Sequence, residues 1–126
     1  GSVWVRKNRY GRMLPWSRRI EDGHVRAGSA VRFYREPRRF AEACGARWGE
    51  RVLLEDEGYV VVDKPWGLPT QATRDNFREC LVSCASRSLG RKLLALHRLD
   101  LSTSGCIALA KTKQAASRFH ALQRGE

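Results

Sequence analysis

The clearest pattern in the chain is the run Tyr59-Val60-Val61-Val62-Asp63, β-branched and of the length of a buried strand. An acidic turn, Glu55-Asp56-Glu57-Gly58, separates it from the short apolar run Val52-Leu53-Leu54. Lys64-Pro65-Trp66-Gly67-Leu68-Pro69 cannot continue the strand, because two prolines and a glycine force a fixed turn. From Asn76 to Leu89 the apolar positions Phe77, Cys80, Leu81, Cys84, Ala85 and Leu89 fall on one helical face. Asp75 or Asn76 is available as its N-cap and Gly90 as its stop. Leu93-Leu94-Ala95-Leu96 and Cys106-Ile107-Ala108-Leu109-Ala110 predict two further strands, and Thr112 to Gln123 a helix opening on a threonine cap.

The first third has a different texture. Val3-Trp4-Val5 and Ala30-Val31-Arg32-Phe33-Tyr34 predict short strands, with Gly23 and Gly28 marking turns. Pro37 closes this segment, and Arg38 to Gly49 reads as a linker with one helical turn. The predicted organisation is therefore a small β-rich segment over 1–38, a linker over 39–51 and a second unit over 52–126. That second unit runs strand, turn, helix, strand, polar loop, strand, helix, which is α+β or mixed α/β.

Charge narrows the partner. The 126 residues hold 24 Lys and Arg against 13 Asp and Glu, a net +11. Such a surface attracts polyanions, and arginine suits phosphate contacts and stacking on bases. A merely solvated basic surface is the alternative; no basic amphipathic helix points to a membrane. Residues 1–51 carry 13 cationic and 5 acidic side chains, and residues 52–126 carry 11 and 8. Trp4, Tyr10, Trp16, Phe33 and Tyr34 interleave with the arginines of the first stretch, among which Arg18 and Arg19 are candidate RNA contacts. The same aromatics equally suit the core of a small β module.

No run approaches ~18 apolar residues, the length that spans a membrane. The start, Gly1-Ser2-Val3-Trp4-Val5, has neither a signal-peptide layout nor an initiator methionine. A tag remnant or a piece of a longer reading frame explains it. Cys44, Cys80, Cys84 and Cys106 form no disulfide framework and, with His97 and His120, no metal-ligand spacing. Buried reduced thiols in a cytoplasmic protein, with no metal, are the expectation.

The chemistry gathers in Leu96-His97-Arg98-Leu99-Asp100-Leu101-Ser102-Thr103-Ser104-Gly105, between two core strands. One carboxylate, one guanidinium, one imidazole and three hydroxyls suggest an aspartate whose orientation is fixed by its neighbours. The pattern is also that of an Asp-x-x-Thr turn with no function beyond its own backbone. Spacing alone leaves the two open.

This loop resembles the signature loop of the pseudouridine synthases of the large-ribosomal-subunit type. The stretch Glu55 to Pro69 resembles the family's upstream strand and Lys-Pro-x-Gly turn, and Ile107 to Thr112 the strand that follows the loop. The similarity covers roughly 52–123. Arg19 to Val25 and Ala27 to Val31 resemble, more loosely, the end of the small S4-like RNA-binding module that many members carry. The resemblance implies an α+β fold with a mixed, mainly antiparallel sheet and flanking helices. It implies isomerisation of uridine to pseudouridine in ribosomal or transfer RNA, by a monomer without metal or cofactor. Asp100 matches the nucleophile, whose attack on sugar or base has been argued both ways, and Arg98 the residue that steadies the space left by an extruded uridine. His97 is a loop brace or an RNA contact, and Thr103, Ser104 and Gly105 support the loop. Lys64 and Pro65 shape the site, with Lys64 also able to meet a phosphate. The family's later tyrosine and later basic residue do not occur before Glu126, so the isolated chain is expected to be inactive or very weak. Three other readings compete: a non-catalytic RNA-binding module, a chance likeness of the loop, and a hydrolase pairing Asp100 with Asp63 or Asp75.

Overall fold

The computed structural model describes residues 2–9, 12–13, 15–19 and 23–126. Two units emerge, one of residues 1–38 with 74–76 and one of 39–73 with 77–126. In the first, β1 (Ser2–Arg6) is central to a three-stranded antiparallel sheet, flanked by β4 (Ser17–Arg19) and β5 (Ala30–Tyr34). Between them β2 (Asn8–Arg9) and β3 (Arg12–Met13) form a two-stranded ribbon. Ile20, Glu21 and Asp22, part of the S4-like resemblance, lie outside the described residues.

Residues 74–76 belong to this unit through hydrogen bonds. Asp75 Oδ2 accepts the Arg38 N–H at 2.7 Å, and Asn76 Nδ2 donates to the Arg38 carbonyl at 2.8 Å. The two side chains expected to cap a helix thus clasp the backbone of Arg38 instead. The helix begins later, at Leu81, and its N-cap is Cys80, whose Sγ accepts the Ser83 N–H at 3.5 Å.

The second unit opens with α1 (Glu42–Gly45) and a 3-10 turn (Trp48–Arg51), followed by β6 (Val52–Glu55) and β7 (Tyr59–Lys64). Then come α2 (Leu81–Ser88), β8 (Leu94–Ala95), β9 (Gly105–Ala110) and α3 (Lys113–Arg124). The sheet order is β6-β7-β9-β8, and every neighbouring pair is antiparallel. This is the α+β architecture, with helices added to an antiparallel sheet.

Alternation along β7 explains the core. Val60, Val62 and Lys64 are buried, while Tyr59, Val61 and Asp63 are half-buried on the other face. The buried face joins Ile107 and Leu109 of β9 to Leu81, Cys84 and Ala85 of α2. Each such fully buried aliphatic side chain contributes roughly 1.5–3 kcal/mol. Phe40 and Ala43 enter the same cluster, with Trp48 packed against it, so residues 39–51 are not a linker. Glu79 secures this stretch by accepting from the Phe40 N–H at 2.8 Å and from Arg39 Nε at 2.7 Å. Cys80 and Cys84 are buried and free, whereas Cys44 and Cys106 are exposed. Burial pushes the Cys84 thiol above its ordinary pKa, which disfavours the reactive thiolate.

The register of β7 and β9 brings the chemistry to one end of this sheet. Lys64 pairs with Gly105 at the last register position of β7 and β9. The turn after β7 and the loop before β9 therefore emerge side by side. At the far end Thr112 caps α3, its Oγ1 accepting the Ala115 N–H at 3.0 Å, and Tyr59 Oη donates to the Ala115 carbonyl at 2.9 Å.

Candidate active site

The loop from Leu96 to Ser104 presents Asp100 on its exposed surface, between half-buried Leu99 and Leu101. Those two leucines pack against the core cluster and anchor the aspartate from either side. Within the loop, the Thr103 N–H donates to the Asp100 backbone carbonyl at 3.0 Å, closing a main-chain turn. The hydroxyl-bearing residues Ser102, Thr103 and Ser104 are all exposed. Thr103 thus supports the loop through its backbone. Gly105 has φ +129°, a region that side chains rarely adopt, and begins β9 there.

What fixes the loop comes from the turn after β7. The Gly67 N–H donates to the Leu101 carbonyl at 2.8 Å, and Gly67 itself has φ +78°, a value only glycine adopts without strain. Thr70 is buried and bonds both backbone groups of Leu99: its Oγ1 donates to the carbonyl at 2.8 Å and accepts from the N–H at 3.0 Å. Asp100 thus stands between two residues whose backbones are tied to a second segment about 30 residues away in sequence.

Lys64 is the cation behind this clamp. Because it continues the buried face of β7, it is fully buried, and its Nζ donates to the carbonyls of Leu68 at 2.6 Å and Pro65 at 3.1 Å. A longer contact, 3.5 Å, reaches the Leu101 carbonyl. Desolvation holds its pKa below the ordinary lysine value, and the nearby negative charge of Asp100 opposes that shift. A phosphate contact by Lys64, allowed by the sequence, does not fit an ammonium enclosed by carbonyls.

Arg98 is exposed and lines a cavity of about 280 Å³ with Pro69, Thr70, Gln71, Ala72, Thr73, Leu99 and Leu101. The cavity thus opens against the clamped loop, with a guanidinium at its edge. His97 has packing partners of its own. Its Nε2 accepts the Ala108 N–H of β9 at 3.2 Å, and its ring stacks on Phe119 with centroids 6.3 Å apart. It extends the β8–β9 ladder by a side chain and braces the base of the loop. Each acidic partner of the hydrolase reading is engaged by a group of its own. Asp63 projects from the opposite face of β7 and pairs with Arg51 at 3.0 Å, and Asp75 is engaged with Arg38 in the other unit. A larger open hollow of about 1030 Å³ lies at the other end of β7, beside Tyr59 and Thr112, remote from Asp100.

In the N-terminal unit, Arg18 is exposed on β4 opposite Trp4. Arg19 pairs by its backbone with Val3, and its side chain lies outside the described set. Among the described residues no group of three His, Cys, Asp or Glu is placed to hold a metal ion, and no helix is long and apolar enough to cross a membrane.

Residues 58–126, which contain the loop, its clamp and the strands that carry both, match the family described as RNA pseudouridylate synthase. The chain belongs to that family. It is 36% identical over 110 residues to RNA pseudouridine synthase 6, chloroplastic, of Oryza sativa subsp. japonica, covering 84% of this chain and 23% of the relative. It is 35% identical over 71 residues to the tRNA pseudouridine(31) synthase of Saccharomyces cerevisiae, covering 56% of this chain and 17% of that protein. The chain thus spans about a quarter or less of these pseudouridine synthases. The fold is similar to the solved human RNA pseudouridylate synthase domain containing 4, with TM-score 0.52 and 27% identity. That match covers 68% of this chain and 33% of the other.

Thr70 was not legible as a functional residue: a threonine after a proline carries no signal of a partner 29 positions away. Its role is testable. Thr70→Val keeps the shape but leaves the Leu99 N–H and carbonyl without their partner, at a cost of about 1–3 kcal/mol. Chemical denaturation is expected to show that loss, with Thr70→Ser restoring most of it.

Proposed function

We infer that this chain carries the nucleophile of an RNA pseudouridine synthase of the large-ribosomal-subunit type, and that the nucleophile is Asp100. The observation that supports this most is the placing of an exposed carboxylate on a loop clamped at Leu99 and Leu101, with buried Lys64 close behind it and Arg98 at the adjoining cavity. A reacting group gains most when its geometry is set before the substrate arrives. The rigid backbone on both sides of Asp100 is that kind of support.

The net reaction breaks the bond from the ribose to N1 of uracil and forms one from the ribose to C5. The C5 hydrogen leaves as a proton, and N1 gains one. Asp100 acts as a covalent catalyst that holds one half while the base turns. The target uridine must leave its stack to reach a carboxylate on a surface loop, and Arg98 can steady the place it vacates, its flat cation stacking on bases and bonding phosphate. The substrate is ribosomal or transfer RNA, approached through the basic surface.

The same reading makes the enzyme a monomer that needs neither metal nor cofactor. It places the protein in the cytoplasm, where reduced cysteines are the norm; imaging of the tagged protein checks this, since relatives include a chloroplastic enzyme. The decisive assay is tritium release from RNA labelled at C5 of uridine, using the complete enzyme with chelator present. Release equal to pseudouridine formed is expected. RNA binding without any release would instead favour a non-catalytic RNA-binding module.

A further inference from the structure

The N-terminal sheet gathers aromatic rings and arginines on one face. Trp4 of β1 lies directly opposite Arg32 of β5 and Arg18 of β4, and such cross-strand partners share a face. Residues two apart on a strand do so as well, which adds Tyr34 and Arg6. Trp4, Pro15, Trp16, Arg32, Tyr34 and Arg74, all in this unit, line a cavity of about 370 Å³. The Arg32 guanidinium lies 4.7 Å from the centre of the Trp16 ring, and the Trp4 indole N–H donates to the Arg74 carbonyl at 2.7 Å. These contacts fix two of the three rings before any ligand arrives.

The rings are not simply the core of a small module. Val5 is buried on the opposite face, where Val31 and Phe33 are exposed, and Trp4, Trp16 and Tyr34 are half-buried around an open cavity. Small-ligand pockets run from roughly 300 to 1,000 Å³, so this one suits a single flat group with its substituents. Its walls are aromatic and its cations are arginines, and all but Arg74 come from the stretch 1–51 with 13 cationic and 5 acidic side chains. Flat π-faces beside guanidinium groups are what an unpaired base and its phosphate require, whereas a base inside a duplex cannot offer its face.

We propose that this cavity binds one unpaired nucleotide of the RNA, its base against the Trp16 and Tyr34 rings and its phosphate at Arg32 and Arg74. The site rests on RNA being the substrate but not on the chemistry of Asp100. It gives the N-terminal unit a hold on a single-stranded position of that RNA.

The test is binding of a short fluorescein-labelled single-stranded RNA to the full chain, followed by anisotropy across a salt series and by tryptophan emission. Binding is expected to quench tryptophan emission. Trp16→Ala and Tyr34→Ala each weaken binding roughly tenfold with the salt dependence unchanged, because a stacking contact is lost. Arg32→Ala weakens binding and lowers the slope of log affinity against log salt by about 0.7, the value for one phosphate on a single strand. Trp16→Phe retains most of the affinity, which separates stacking from a folding defect, and circular dichroism checks each variant. Phe33→Ala, on the opposite face, leaves affinity within about twofold, as expected of a surface position away from the contact. Equal losses from Phe33→Ala and Trp16→Ala would overturn the proposal. So would duplex RNA or polyglutamate competing as well as single-stranded RNA, or anionic vesicles binding more tightly than RNA. If Trp16→Ala binds normally while Asp100→Asn abolishes turnover, only this site falls; the reverse pattern removes the catalytic assignment alone.

Discussion

Asp100→Asn is expected to abolish pseudouridine formation by the complete enzyme, lowering turnover at least ~1,000-fold while RNA affinity stays within about twofold. The substitution is nearly isosteric. It preserves the Leu99 and Leu101 clamps, which bond backbone atoms, and the Thr103 N–H still reaches the carbonyl of residue 100. What disappears is the negative charge and the nucleophilic oxygen, and an amide replaces them poorly. Tritium release under single-turnover conditions measures the chemical step, and filter binding of the same RNA measures affinity. A residual rate within tenfold of the wild type would remove Asp100 from the role of nucleophile. Loss of both activity and binding would assign it to holding RNA.

Lys64→Met should have the second largest effect, on stability and activity together. The thioether fills the space of the lysine stem, but the carbonyls of Pro65 and Leu68 lose their shared donor. Leaving two buried acceptors unpaired costs about 2–4 kcal/mol, partly offset because no ammonium has to be desolvated. The loss falls on the turn that bears Gly67, whose N–H holds Leu101 beside Asp100. Denaturant unfolding is expected to show the destabilisation, and turnover to fall further than stability alone explains. The pH dependence has a definite sign. Because burial lowers the Lys64 pKa in the fold below the ordinary 10.5, the unfolded chain binds the proton more tightly. The cost of the buried charge is fully present below the lowered pKa of the folded state and fades as pH rises from there toward 10.5. The wild type therefore gains stability relative to Lys64→Met over that alkaline window. A parallel pH dependence in both proteins would show that Lys64 is not desolvated.

These expectations draw on residues of unequal legibility. Tyr59 to Lys64 and Gly105 to Ala110 could be read as strands because β-branched and aliphatic runs have few other uses, and the Thr112 cap of the last helix because its hydroxyl acts within three residues. The α2 helix starts later than its apolar spacing predicts, for the opposite reason. Asp75 and Asn76 are good caps locally, but they bond Arg38, and Cys80 caps the helix in their stead. Likewise the stretch 39–51 has the polar composition of a linker, yet Phe40 and Ala43 find a core contributed by strands and a helix far along the chain.

The sequence by itself determined the family, the strand-loop-strand that offers Asp100, and the basic, aromatic character of the first segment, because each is written in contiguous residues. Only the tertiary structure decided that Lys64 is buried rather than turned to phosphate, that Thr70 grips Leu99, and that Trp4, Trp16 and Tyr34 surround one cavity. The physical reason is the range of the forces. Periodicity and capping act over a few residues, whereas burial, pairing across strands and the enclosure of a charge depend on segments that only the folded chain brings together.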